Sequence, residues 1–150
     1  MFVKTLRTVS ILATIAGIAL AATAAAPAAA QGHRIVVEQW GQANALGGGQ
    51  SGWRQSMTVI QDGRRNGAIV TQSGSRNSAA VGQVGRNNRA DVDQRGQRNA
   101  VGVAQTGQGN SATTRQQGRD NSAAVIQTGR NNSASASQSG AGNTIAIIQE

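Results

Sequence analysis

Cysteine and tyrosine are absent from this 150-residue chain, and aromatic residues make up only 2% of it. Without cysteine there is no disulfide framework and no thiolate metal site. With so few aromatics, few side chains can bury about 150 Å² or more each, which excludes an ordinary globular core. Charged residues amount to only 13%. Pro27 is the only proline and Lys4 the only lysine, so the chain after residue 30 lacks two residues that usually blunt strand edges. Glycine is abundant, at 20 residues. Such a chain either stays disordered or folds by stacking many small, similar layers.

The first thirty residues read as a secretory signal peptide. Lys4 and Arg7 form a basic region, an apolar run follows from Val9 to Ala22, and small residues end in Ala28-Ala29-Ala30. The apolar stretch is nearly long enough to span a membrane, but Pro27 and the alanine run fit cleavage better. Residues 1–30 are therefore set apart from the fold, and residues 31–150 are expected to be secreted. That segment holds twelve arginines against six acids, a balance of +6, which favours anionic partners such as acidic polysaccharide or DNA.

One repeat runs through the secreted segment. Glutamine recurs every eleven residues, at Gln39, Gln50, Gln61, Gln72, Gln83, Gln94, Gln105, Gln116, Gln127, Gln138 and Gln149. Glycine follows two residues later, at Gly41, Gly52, Gly63, Gly74, Gly85, Gly96, Gly107, Gly118, Gly129 and Gly140. Asparagine sits three further on, at Asn44, Asn66, Asn77, Asn88, Asn99, Asn110, Asn121, Asn132 and Asn143, with Gln55 the single exception. The next alternate positions are apolar: mostly alanine two residues on, and mostly valine four residues on, as in Ala68 and Val70 or Ala90 and Val92. Gly48 and Ala136 interrupt the valine column, and Gly47-Gly48-Gly49 reads as a weakened strand. His33, Ile35, Val37 and Gln39 form a degenerate first unit.

Asn, Ala, Val and Gln alternate with variable polar residues, the period of a half-buried strand. The Gly-x-x step resets the phase, because glycine adopts the positive φ that a tight arc needs, and the asparagine after it tolerates left-handed geometry. The fold class is all-β. An eleven-residue period also suits a right-handed coiled coil, but one glycine per unit costs a helix about 1 kcal/mol each time. A disordered chain would not need such strict phase. A hairpin meander would leave an apolar face uncovered. A β-solenoid, with two units per coil and about five coils each rising about 4.8 Å, stacks like on like.

The Gln and Asn columns then become amide ladders, each side chain donating to one neighbouring coil and accepting from the other. No caps are visible, and strands containing Ile35 and Val37 at one end and Ile145 and Ile147 at the other are expected to act as polymerising edges. Stacking end on start gives an open filament.

The pattern Gln-x-Gly-x-x-Asn-x-Ala-x-Val-x-Gln resembles the curlin repeat of bacterial curli subunits. Gln72–Gln83, Gln116–Gln127 and Gly142-Asn143-Thr144-Ile145-Ala146-Ile147-Ile148-Gln149 carry it plainly, and the resemblance covers about residues 39–149. It implies an extracellular amyloid fibre on a Gram-negative cell, with roles in adhesion and biofilm matrix. It also implies a second curlin-like subunit and an outer-membrane secretion pore as partners. The uninterrupted repeats and basic charge look more like the minor, nucleating subunit than the major one. The major subunit of the family carries a separate N-terminal secretion segment, whereas repeats here begin almost at the cleavage point.

No catalytic set, metal cluster or phosphate loop is legible, so neither an enzyme nor a cofactor is expected. His33 stands alone and reads as structural. Asp91 and Asp93 flank the inward Val92 and read as charges that restrain aggregation. Arg64, Arg65, Arg76, Arg86, Arg98, Arg119 and Arg130 fall in the arcs, as solvated charge or as a basic stripe for an anionic polymer. The alternative function is a monomeric secreted β-solenoid that binds anionic polysaccharide or DNA.

Overall fold

The computed structural model of the chain describes residues 9–13 and 32–150. Apart from Val9–Ala13, the segment read as a signal peptide lies outside the described residues. Twelve strands form two parallel sheets. One is seven-stranded, made of β1 (Val9–Ala13), β2 (Arg34–Gln42), β4 (Ser56–Arg64), β6 (Ser78–Arg86), β8 (Ala100–Gln108), β10 (Ser122–Arg130) and β12 (Thr144–Gln149) in that order. The other is five-stranded: β3 (Ala45–Trp53), β5 (Gly67–Ser75), β7 (Arg89–Gln97), β9 (Ser111–Arg119) and β11 (Ser133–Ala141). From β2 onward the chain alternates between the sheets, so two eleven-residue units make one coil, and residue i pairs with i+22 throughout. This is the expected β-solenoid of about five coils.

The register follows from burial. A slip of one residue would turn every apolar side chain outward. In register, Val59, Val70, Val81, Val92 and Val125 are at most 2% exposed, and the alanine column lies beside them. Two sheets bearing mostly Ala and Val approach closely, so the core is thin and is closed at its margins by the Gln and Asn columns.

Arc glycines are required for two reasons. Gly85 has φ of 119°, and a Cβ there would overlap the carbonyl oxygen of Gly107 in the next coil. The Gly47-Gly48-Gly49 segment is a regular part of β3, with Gly48 opposite Val70. Gly48 has φ of 134°, and a Cβ on it would run into the Val70 backbone. The gap in the valine column is therefore a backbone requirement.

The left-handed residue in each arc is the one before the ladder asparagine, in place of the asparagine itself. Ala43, Arg54, Arg65, Arg76, Asn87, Arg98, Asp120 and Asn131 all have φ between 49° and 59°, and Gly109 and Gly142 fill the same position at 70°. Five of these ten are Asn, Asp or Gly, the residues that tolerate this conformation best, so reading this column alone would have located it.

Candidate assembly interface

The ladder glutamines bridge neighbouring coils, and most of them bridge the two sheets as well. In the seven-stranded sheet, Nε2 of Gln61 donates to Gln83 Oε1 at 2.7 Å, Gln83 to Gln105 at 2.8 Å, Gln105 to Gln127 at 2.8 Å and Gln127 to Gln149 at 2.9 Å. In the five-stranded sheet the chain of donors runs from Gln50 through Gln72, Gln94 and Gln116 to Gln138. The second Nε2 proton crosses the core: Gln83 donates to Gly67 O at 3.0 Å and Gln94 to Ser78 O at 3.0 Å. Burying an amide without partners costs about 1–3 kcal/mol. At Gln61, Gln83, Gln94, Gln105 and Gln127 both protons and the oxygen are engaged, so a polar side chain can take a core position.

The asparagines stack in register but work differently from the expected side-chain ladder. Their Oδ1 accepts the backbone N–H of the asparagine one coil on, as from Asn88 N to Asn66 at 3.1 Å. Their Nδ2 donates to the carbonyl four residues back and to an arc glycine of the next coil, as Asn66 does to Asp62 O and Gly85 O, both at 3.1 Å. Side-chain pairing occurs only late in the array, from Asn121 to Asn99 and from Asn143 to Asn121. The shorter Asn side chain reaches only the arcs, its own and that of the next coil, so it staples arcs while the longer Gln spans the core.

Gln55 shows the cost of the extra methylene. Its Nε2 keeps both arc bonds, to Ser51 O at 2.6 Å and Gly74 O at 3.1 Å, but its Oε1 is buried with no partner. His33 fills the same column one coil below, and its Nδ1 accepts the Gln55 backbone N–H at 3.3 Å.

The ladder is polar. Every Gln–Gln bond points the same way along the solenoid axis, from Nε2 of one coil to Oε1 of the coil that follows in sequence. At the β3 end of the five-stranded sheet, Gln50 Oε1 is buried and unpartnered. At the opposite ends, Gln138 and Gln149 each give one proton across the core, to Ser122 O and Ser133 O, and among the described residues no further strand receives the other. One end of the solenoid thus offers acceptors and the other donors.

Both end strands are less enclosed than the middle. Ile35, Ile145 and Ile147 are partly buried and pack against the core cluster, and Val37 is likewise half-buried. Among the described residues no strand pairs with the outer edge of β12, but β2 carries β1 along its edge, with Val9 opposite Ile35 and Ala13 opposite Gln39. That strand comes from the segment expected to be cleaved.

The outer faces also differ, which an eleven-residue reading merges. Trp40, Ile60, Val84, Ile126 and Ile148 are exposed on the seven-stranded sheet, interspersed with Ala80, Gly82, Gly102 and Ala104. The five-stranded sheet exposes only Trp53 and Ile69 among large apolar residues and carries Asp91, Asp93, Arg95 and Arg115 outward, with Asp93 paired to Arg95 at 2.9 Å. A period of twenty-two residues separates the two faces.

A comparison with curated proteins finds no match. The family model described as "Curlin associated repeat" matches at residues 56–85, 63–96, 85–118 and 118–150. These matches together span well over half of the chain and follow the same units that build the ladders. The chain belongs to the curlin associated repeat family.

Proposed function

We propose that this protein is a structural subunit of an extracellular curli-like amyloid fibre, assembled by edge-to-edge stacking of solenoids and serving cell-surface adhesion and biofilm matrix. The observation that carries this reading is the polarity of the glutamine ladder. An unpartnered acceptor at Gln50 and unreceived donors at Gln138 and Gln149 are complementary, so a second copy stacked head to tail continues every row. Curlin-repeat proteins are structural fibre subunits, which agrees with self-association as the main activity.

Removal of residues 1–30 takes β1 with it and bares the edge of β2. Assembly is then coupled to secretion, and a secretion pore in the outer membrane of a Gram-negative cell and a second curlin-like subunit are the partners that the resemblance to curli subunits implies. The repeats without interruption and the basic arcs favour the nucleating, minor role over the major one.

The test is to dilute unfolded residues 31–150 into buffer and follow thioflavin fluorescence. Fibres that form with little lag and seed fresh monomer support the reading. A chain that stays soluble and unseedable for days sinks it.

A further inference from the structure

We propose that the arc leading out of the seven-stranded sheet is a binding cleft for a linear, carboxylate-bearing polysaccharide. The last residues of β2, β4, β6, β8 and β10 form one column: Gln42, Arg64, Arg86, Gln108 and Arg130. Arg65, next to Arg64, has a left-handed backbone and is exposed. Together these arcs enclose a cleft of about 320 Å³ lined by Gln42, Arg64, Arg65, Arg86, Asn87 and Gln108.

Three guanidinium groups converge on it, and Arg64 and Arg86 stand on adjacent coils about 4.8 Å apart at the backbone. Like charges directly opposite each other are destabilising. Among the described residues none of Arg64, Arg65, Arg86 and Arg130 has an acidic partner within salt-bridge distance. The opposite arc is also basic, with Arg54, Arg76, Arg98 and Arg119, but there Asp120 is paired with Arg98 through two bonds of 2.6 and 2.7 Å. The first arc is therefore the one in which every arginine is left for an outside anion, whereas the opposite arc has one of its four paired.

Guanidinium forks match carboxylates bidentately. The amides of Gln42, Asn87 and Gln108 supply donors and acceptors for ring hydroxyls. A sugar ring is comparable in length to one coil step, so successive uronate residues can follow the column along the axis. No aromatic side chain lines the cleft, and single-stranded nucleic acid would want one to stack its bases. The cleft needs only the solenoid, so it exists whether or not the protein forms fibres.

The test measures binding of polygalacturonate, neutral dextran and a single-stranded DNA oligomer to the secreted protein at about 50 and about 200 mM salt. Arg64→Gln/Arg65→Gln/Arg86→Gln is compared with Arg54→Gln/Arg76→Gln/Arg119→Gln, which removes the same charge from the other arc. All six side chains are exposed, and circular dichroism checks that the sheets persist. The expected result is salt-sensitive polygalacturonate binding, no dextran binding, and about a tenfold loss of affinity confined to the first variant. If that variant does not fold, Arg86→Gln alone should still weaken binding while Arg119→Gln does not. Equal loss in both variants would overturn the proposal, as would absent polygalacturonate binding. Tighter DNA binding through the same arginines would replace it with a nucleic-acid site.

Discussion

At the residue scale, the repeat positions divide into those with one acceptable side chain and those with many. Thr114 stands in the valine column, fully buried, with its Oγ1 unpartnered. Thr114→Val keeps the shape and removes a buried hydroxyl that lacks a bond. It should raise stability by about 1–3 kcal/mol, read as a higher denaturant midpoint with unchanged slope. Gln55→Asn should also stabilise, because the shorter side chain lets the amide oxygen reach the backbone of Asn77 as other column members do. Gly85→Ala should do the opposite. It forces a Cβ into a carbonyl of the next coil and an unfavourable φ, so the central coils should fail to form, seen as lost β signal. The pair Arg98–Asp120 links two coils on the surface. The hydrogen bond from Arg98 holds the Asp120 carboxyl below the usual aspartate range. A lowered folded-state value means that this contribution is present above about pH 4 and fades as pH falls through the depressed value. The stability gap between the native chain and Asp120→Asn should therefore narrow on acidification, and a constant gap would contradict the assignment.

At the element scale, the strand–arc unit was legible because burial and polarity recur with the same phase. Gln, Gly, Ala and Val each announce their place by appearing every eleven residues. The roles of the amides were only half legible. Sequence shows that Gln and Asn stack, but not that one methylene decides whether the amide crosses the core or serves the arcs. The left-handed position was missed because Arg fills it four times and Asn only twice. Its backbone is imposed by the arc at about 1–2 kcal/mol for a side chain that dislikes it. The two faces were merged because outward residues must be read at the coil period, not the unit period. The ladder makes a further expectation. Gln83→Leu would strand the amide oxygen of Gln105 and the carbonyl of Gly67. With each unpaired buried group costing about 1–3 kcal/mol, it should destabilise more than Gln108→Leu in the exposed arc, compared by urea unfolding.

At the scale of the whole molecule, the solenoid has a direction, two unlike faces and two unlike arcs, and assembly follows from the direction. An inward charge on an end strand is a natural way to block edge pairing. Ile147→Lys on β12 should leave the central coils intact and slow fibre growth, measured by seeded thioflavin kinetics. The same substitution made on the outward Ala146 should matter far less. The most direct test of the account is the mass per unit length of the fibre. Strands β2 to β12 fill five and a half coils, so with about 4.8 Å per coil one subunit should occupy about 26 Å of fibre axis. Scanning transmission electron microscopy of fibres of residues 31–150 should return one chain per about 26 Å for each filament. One chain per about 4.8 Å layer would mean that the chains lie flat and stack whole upon whole, and would contradict the stacked solenoid.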